Sequence, residues 1–201
     1  MTTTRKKKTV RPAEKAIQFK VQLRYLRPPI WRRVVLPDNA TLGDLHEAIQ
    51  IAMGWYNCHL HCFRIGGMHY TGREAAEMDD MDMENEERVP LADVVTCAKQ
   101  KFSYEYDFGD SWEHEIVVEK LLSLDPATNY PVCLGGARAC PPEDCGSFPG
   151  YEDILEALDA KNPTDDQQEL LEWVGEDYDP ERFDLDLVNR RLGTLGRSQR
   201  P

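Results

Sequence analysis

The chain has 201 residues, a net charge of -12, 41% hydrophobic residues and a mean hydropathy of -0.59. No apolar run approaches the roughly 20 residues that a membrane-spanning helix needs, so a helical membrane protein is excluded and one soluble domain of ordinary size is expected. The excess of acid also argues against a broad phosphate-binding surface, because basic side chains supply most nucleic-acid affinity.

Residues 1–15 contain one concentrated basic segment, Arg5, Lys6, Lys7, Lys8 and Arg11. With no apolar stretch behind it, this segment reads as a disordered basic arm and not as a secretory signal. Six cysteines without an export signal suggest a cytoplasmic protein with no structural disulfide. Next, Ile17, Phe19, Val21, Leu23 and Tyr25 alternate with polar residues and predict a half-buried strand. Arg27-Pro28-Pro29 interrupts it and IWRRVVLP resumes as a hairpin partner. Arg24, Arg27, Arg32 and Arg33 could then form a local basic patch.

Thr41 with Asp44 three residues on reads as a capping box. Leu42, Leu45, Ile49, Ala52 and Met53 keep helical spacing, and Gly54 ends the helix. HLHCFRIGG predicts a strand that puts His59, His61, Phe63 and Ile65 on one face. Residues 73–88 are acid-rich with no aromatic residue and are expected to be a mobile acidic loop. A calcium loop is disfavoured there, because the glycine and terminal glutamate of an EF-hand are missing.

After a helical turn from Pro90 to Val95, FSYEYDFGDSWEHEIVVEK predicts a hairpin turning at Gly109 and Asp110. CLGGARACPPEDC then reads as a loop free of regular structure. Three short helices are expected over Tyr151–Ala160, Asp165–Val174 and Phe183–Leu192, with residues 194–201 as a tail. The resulting fold class is α+β, a mixed sheet with a β-grasp-like (strand-strand-helix-strand) start and a C-terminal cluster of short helices over 149–193. Residues 16–193 form its single domain.

Several groupings could carry chemistry. Cys133, Cys140 and Cys145 could hold a structural zinc, with His59, His61 or His114 as fourth ligand. Their spacing is wider than that of compact zinc knuckles. The plainer reading, which we prefer, makes them small hydrophobes under a proline-rich turn, with Glu143 and Asp144 capping backbone amides. Asp107, Asp110 and His114 are candidate catalytic residues that could hold a divalent ion for phosphodiester cleavage. Aspartates at a turn serve turn geometry alone, however, and that reading wins. Asp107-Phe108-Gly109 lacks the companion motifs of a kinase. Ser111 with His114, and Cys58 with His59, lack the arrangement that activates a nucleophile, and adjacent strand residues point to opposite faces. The aromatics Trp31, Trp55, Tyr56, Phe102, Tyr104, Tyr106, Phe108 and Trp112 read mainly as core, with Trp112 beside the turn as the candidate for base stacking. Arg32, Arg33 and Trp112 are therefore the candidate binding residues.

The segments RPPIWRRV, LHEAIQIAMGW, HLHCFRIGG, YEYDFGDSWEHEI, CPPEDCG and FDLDLVNRRL, in this order, resemble the plasmid pRiA4b ORF-3-like family. The resemblance runs from about Ile17 to Leu192. Ser147 and Phe148 depart from it where a second glycine is common, and Cys62 stands where a charged residue is common. The resemblance implies a bacterial protein of a largely uncharacterised family, found on plasmids and chromosomes and near transposable elements, some of whose members carry a resolvase label. The expectation is a non-enzymatic binding module for a protein or nucleic-acid partner, accessory to mobile-element DNA transactions. Its alternative is a metal-dependent enzyme acting on nucleic acid, resolvase- or nuclease-like.

Overall fold

The computed structural model describes residues 12–78 and 82–198, with the side chains of the last helix described to residue 195. Arg5, Lys6, Lys7, Lys8 and Arg11 lie outside the described residues, as do residues 199–201 of the expected tail, whereas 194–198 are helical. Eight strands form one sheet: β1 (Lys15–Leu23), β2 (Trp31–Pro37), β3 (His61–Ile65), β4 (Met68–Thr71), β5 (Glu84–Asn85), β6 (Lys101–Tyr106), β7 (Trp112–Ser123) and β8 (Val132–Ala137). Their spatial order is β5-β4-β3-β6-β7-β1-β2-β8, antiparallel except for the β4–β5 pair. Six helices accompany them: α1 (Leu42–Met53), α2 (Arg73–Ala76), α3 (Leu91–Val94), α4 (Ser147–Asp159), α5 (Asp165–Val174) and α6 (Leu185–Ser198). The α+β class is as expected, and the chain does begin strand, strand, helix, strand. In space, β6 and β7 separate β1 from β3.

Register explains the core. Leu23 pairs with His114, His114 with Tyr104, and Tyr104 with Phe63, so one row of side chains crosses four strands on one face. The neighbouring row contains His61, Tyr106 and Trp112. α1 lies over these rows, started by the Thr41–Asp44 capping box and stopped by Gly54 at φ 98. Trp55, just past that stop, stacks on Tyr106 at 4.9 Å between ring centroids. α6 packs on α1 and β8. α5 buries none of its residues and packs on α4.

Part of the cysteine segment is a strand, contrary to the expected loop. Val132–Ala137 pairs with β2 as the sheet edge. Within it, Gly136 serves close packing. A Cβ there would lie 2.8 Å from Arg32 Cδ, from Phe183 Cζ and from the Trp31 carbonyl oxygen. Asn189 on α6 then brackets this edge strand: Cys133 N–H donates to Asn189 Oδ1, and Asn189 Nδ2 donates back to the Cys133 carbonyl. Where it is described, the acidic stretch 73–88 is also more ordered than its composition implied, since it contributes α2, β5 and a 3-10 turn over Glu86–Arg88. No described helix is long and apolar enough to cross a membrane.

Candidate functional site

The β3–β6 ladder decides which polar residues meet at one end of the sheet. It pairs His61 with Tyr106, and the Asp107 N–H continues it by donating to the Leu60 carbonyl. His59 and Asp107 are thereby neighbours. The CPPEDC segment closes over them, held by hydrogen bonds from Trp55 Nε1 to the Pro141 carbonyl (3.0 Å), from Tyr178 Oη to the Cys140 carbonyl (3.0 Å) and from Ser147 Oγ to the Asp110 carbonyl (2.6 Å). Glu143 Oε1 accepts from Tyr56 N–H at 2.7 Å and from Tyr106 Oη at 3.0 Å.

The result is a cluster around one imidazole. His59 Nε2 lies 3.1 Å from Asp144 Oδ1, 3.6 Å from Asp107 Oδ2 and 3.8 Å from Glu143 Oε2. Cys58 joins His59 and Glu143 with ligand atoms within 4.8 Å of one another. Residues 58–60 precede β3, so strand alternation does not hold Cys58 and His59 on opposite faces as the sequence suggested.

Beside this cluster a cleft of about 710 Å³ opens between the start of α1, β3 and the segment around Glu86. On its floor His46 and His61 stack. His46 Nε2–H donates to Asn57 Oδ1 at 2.7 Å, which leaves Nδ1 to accept from Tyr104 Oη at 2.8 Å. Gln50 Nε2 donates to the same Tyr104 oxygen at 2.9 Å. Burial, with His61 as a second cause, lowers the His46 pKa to about 3 and keeps the ring neutral. His61 Nε2–H donates to Glu86 Oε1 at 2.9 Å, while Glu86 Oε2 is buried with no hydrogen-bond partner. Burial first, and then Asp44, Glu86 and Glu87, hold the Glu47 carboxyl above the usual range.

The other expected site residues go elsewhere. Asp110 tethers the hairpin turn to the cysteine segment, its Oδ2 accepting from Gly146 N–H at 3.3 Å. His114 is sealed in the core against Trp55 and Tyr104, where burial lowers its pKa to about 3. Arg32 is only 2% exposed, and its guanidinium donates to the carbonyls of Ala52, Trp31, Ala137 and Arg138. That role is internal, as is that of Trp112 at 3% exposure. Of the eight aromatics singled out from the sequence, Tyr56 and Phe108 are exposed. Arg33 remains at the surface but grips Glu119 through two hydrogen bonds of 2.6 and 2.9 Å.

Among the described residues, Cys133, Cys140 and Cys145 do not converge on one point. Cys133 Sγ–H donates to the Gly135 carbonyl, Cys140 lies against Met53 Sδ, and Cys145 faces the Ser147 carbonyl. Burial pushes the Cys140 thiol up to about 11 and the Cys145 thiol up to about 12. Sequence reading named His59 and Asp107 in separate constellations and gave Glu143 and Asp144 only capping roles. Their joint position depends on strand register and loop closure, which no local spacing encodes.

The family model described as plasmid pRiA4b ORF-3-like protein matches residues 15–187. The chain belongs to this family. It is 37% identical over 180 residues to the uncharacterized protein y4hQ of Sinorhizobium fredii, covering 89% of this chain and 91% of that relative. It is also similar to the crystal structure of a protein of unknown function, MM3350, from Methanosarcina mazei Go1. There the TM-score is 0.79 at 36% identity, over 87% of this chain and 98% of the other. The quoted segments that bear the family resemblance, HLHCFRIGG, YEYDFGDSWEHEI and CPPEDCG, are the three that supply His59, Asp107 and the Glu143–Asp144 pair.

Proposed function

We propose that this family member is a non-enzymatic binding module whose cleft above the His46–His61 stack takes a cationic group, a primary ammonium or a guanidinium. The observation that carries this reading is Glu86. Its carboxylate is buried at the cleft wall, one oxygen held by His61 and the other without a donor. A buried anionic oxygen without a donor is costly, and a cationic hydrogen-bond donor is the partner that relieves it. Among the described residues, Asp44, Glu47, Glu74 and Glu87 line the same cleft against the single cation Arg73, so its field favours positive charge.

Three of the four arginines in the expected basic patch support a cationic ligand over a phosphate. Arg32 is internal, while Arg24 and Arg33 are engaged with Glu113 and Glu119. The alternative, metal-dependent chemistry on nucleic acid, draws on Asp107 facing His59, but Asp110 and His114 do not join that pair.

Calorimetric titration at low salt with arginine amide, a short arginine- and lysine-containing peptide and a DNA duplex tests this reading. Saturable one-site binding of arginine amide, weakened about tenfold or more in Glu86→Gln, supports it; tenfold corresponds to about 1.4 kcal/mol. Binding of the peptide alone identifies the source of the cation as a protein segment. Duplex binding without any cation binding overturns the proposal.

A further inference from the structure

We propose that His59, Asp107, Glu143 and Asp144 form a site for one divalent transition-metal ion, zinc being the ion that the ligand set fits best. Tetrahedral coordination with bonds of about 2.1 Å places ligand atoms about 3.4 Å apart. The distances from His59 Nε2 to the three carboxylates, 3.1, 3.6 and 3.8 Å, bracket that spacing. His59, Asp107 and Asp144 have ligand atoms within 4.8 Å of one another, and Glu143 meets them through His59, with which it and Cys58 form a second such triplet.

Charge makes the case independently of distance. Three carboxylates face one imidazole, which even when protonated offers one Nε2–H to one of them. The remaining negative charge needs a cation. The buried oxygen is the decisive one. Glu143 has a side chain only 7% exposed, and its Oε2 points at His59 with no hydrogen-bond partner. His59 Nε2 likewise makes no hydrogen bond.

The supports behind these ligands are those of a metal site, in which groups beyond the ligands fix their orientation. Glu143 Oε1 is held by Tyr56 N–H and Tyr106 Oη, which aims Oε2 inward. Asp107 Oδ1 accepts from the amides of Gly109 and Asp110, which leaves Oδ2 for His59. In Glu143 and Asp107, one oxygen is thus used for positioning and the other is presented. Asp144, 68% exposed, forms the open side through which an ion enters. One nitrogen with three oxygens would also suit manganese. The Cys58 sulfur beside His59 and Glu143 adds a softer donor and shifts the preference towards zinc. His59 also lines the cleft, but neither His61 nor Glu86 is a ligand here, so Glu86→Gln tests the cleft reading without touching this site.

The test is titration of metal-stripped, untagged full-length protein with zinc chloride and with manganese chloride. One equivalent of zinc should bind, more tightly than manganese. His59→Gln and Asp144→Asn should each weaken it by about 10- to 100-fold, and Cys140→Ser should leave it unchanged. If His59→Gln does not fold, Asp144→Asn decides, since its side chain is exposed. Absence of zinc binding overturns the proposal. So does tight binding that survives Asp144→Asn and disappears in Cys140→Ser, which would place the ion at the cysteine segment instead.

Discussion

His46 and His61 lie face to face, with ring centroids 3.5 Å apart and planes within 9°. One comes from α1 and the other from β3, and each has a different partner, Tyr104 and Asn57 for His46 and Glu86 for His61. Two imidazolium charges at that separation would repel strongly in a poorly solvated site. The stack therefore depends on the two rings not being charged together, and burial keeps His46 neutral.

Acid should destabilise the fold through His46 and His114. Both have folded pKa values near 3, below the ordinary 6.5. The unfolded chain then binds protons first as pH falls, so their contribution is present above about pH 6.5 and is lost down to about pH 3. The expected slope is about 1.4 kcal/mol per pH unit for each histidine. Glu47, with its raised pKa, opposes this trend in the carboxylate range. Urea unfolding at pH 7, 6 and 5 measures the slope. A flat profile over that span would contradict the buried neutral histidines.

Removing the Tyr104 hydroxyl should cost about 1–3 kcal/mol, because Tyr104→Phe leaves His46 Nδ1 and the Gln50 amide without their buried partner. Denaturant midpoints of the two proteins test it. Equal stability would mean that the hydroxyl does not hold the stack.

Arg32 should behave as a structural residue. Lysine cannot reproduce a guanidinium fork that reaches the carbonyls of Ala52, Ala137 and Arg138. Arg32→Lys should therefore lose about 2 kcal/mol or more of stability, the range of hydrogen bonds to a charged group. A variant of normal stability but altered ligand binding would return Arg32 to the binding surface.

Two glycines should respond in opposite directions to alanine. Gly136→Ala meets three atoms at 2.8 Å and should destabilise by about 1–3 kcal/mol. Gly193 in α6 has no atom within 4 Å of an added Cβ, so Gly193→Ala should stabilise by about 0.5–1 kcal/mol. Thermal melts of both variants suffice, and a shift of the same sign in each would refute the packing account of β8.

Alkylation of the native protein should label Cys58 and Cys97 first, since both are exposed while Cys62, Cys133 and Cys140 are buried. Peptide mass spectrometry after brief iodoacetamide treatment reads the order. Early labelling of Cys140, whose thiol burial pushes up to about 11, would argue against the closed cysteine segment.

Local signals were legible wherever a short stretch determines its own backbone. The Thr41–Asp44 box, the Gly54 stop and the hairpin around Gly109 needed no distant partner. β8 was missed because paired glycines look alike in a turn and under a close contact, and only Arg32, Trp31 and Phe183 distinguish the two. Glu86 was assigned to a solvated acidic loop, since nothing adjacent in sequence reveals that His61 awaits it 25 positions away.

The sequence by itself determined the α+β class, the first helix with both caps, the central hairpin and the family. These follow from hydrophobic period, turn chemistry and a long ordered set of motifs. Only the tertiary structure decided which polar residues work together. Strand register put His59 beside Asp107, closure of the CPPEDC segment brought Glu143 and Asp144 to them, and burial removed Arg32, Trp112 and His114 from the surface. The physical reason is that side-chain chemistry is written in residue types, whereas proximity and desolvation arise from contacts between segments far apart in the chain.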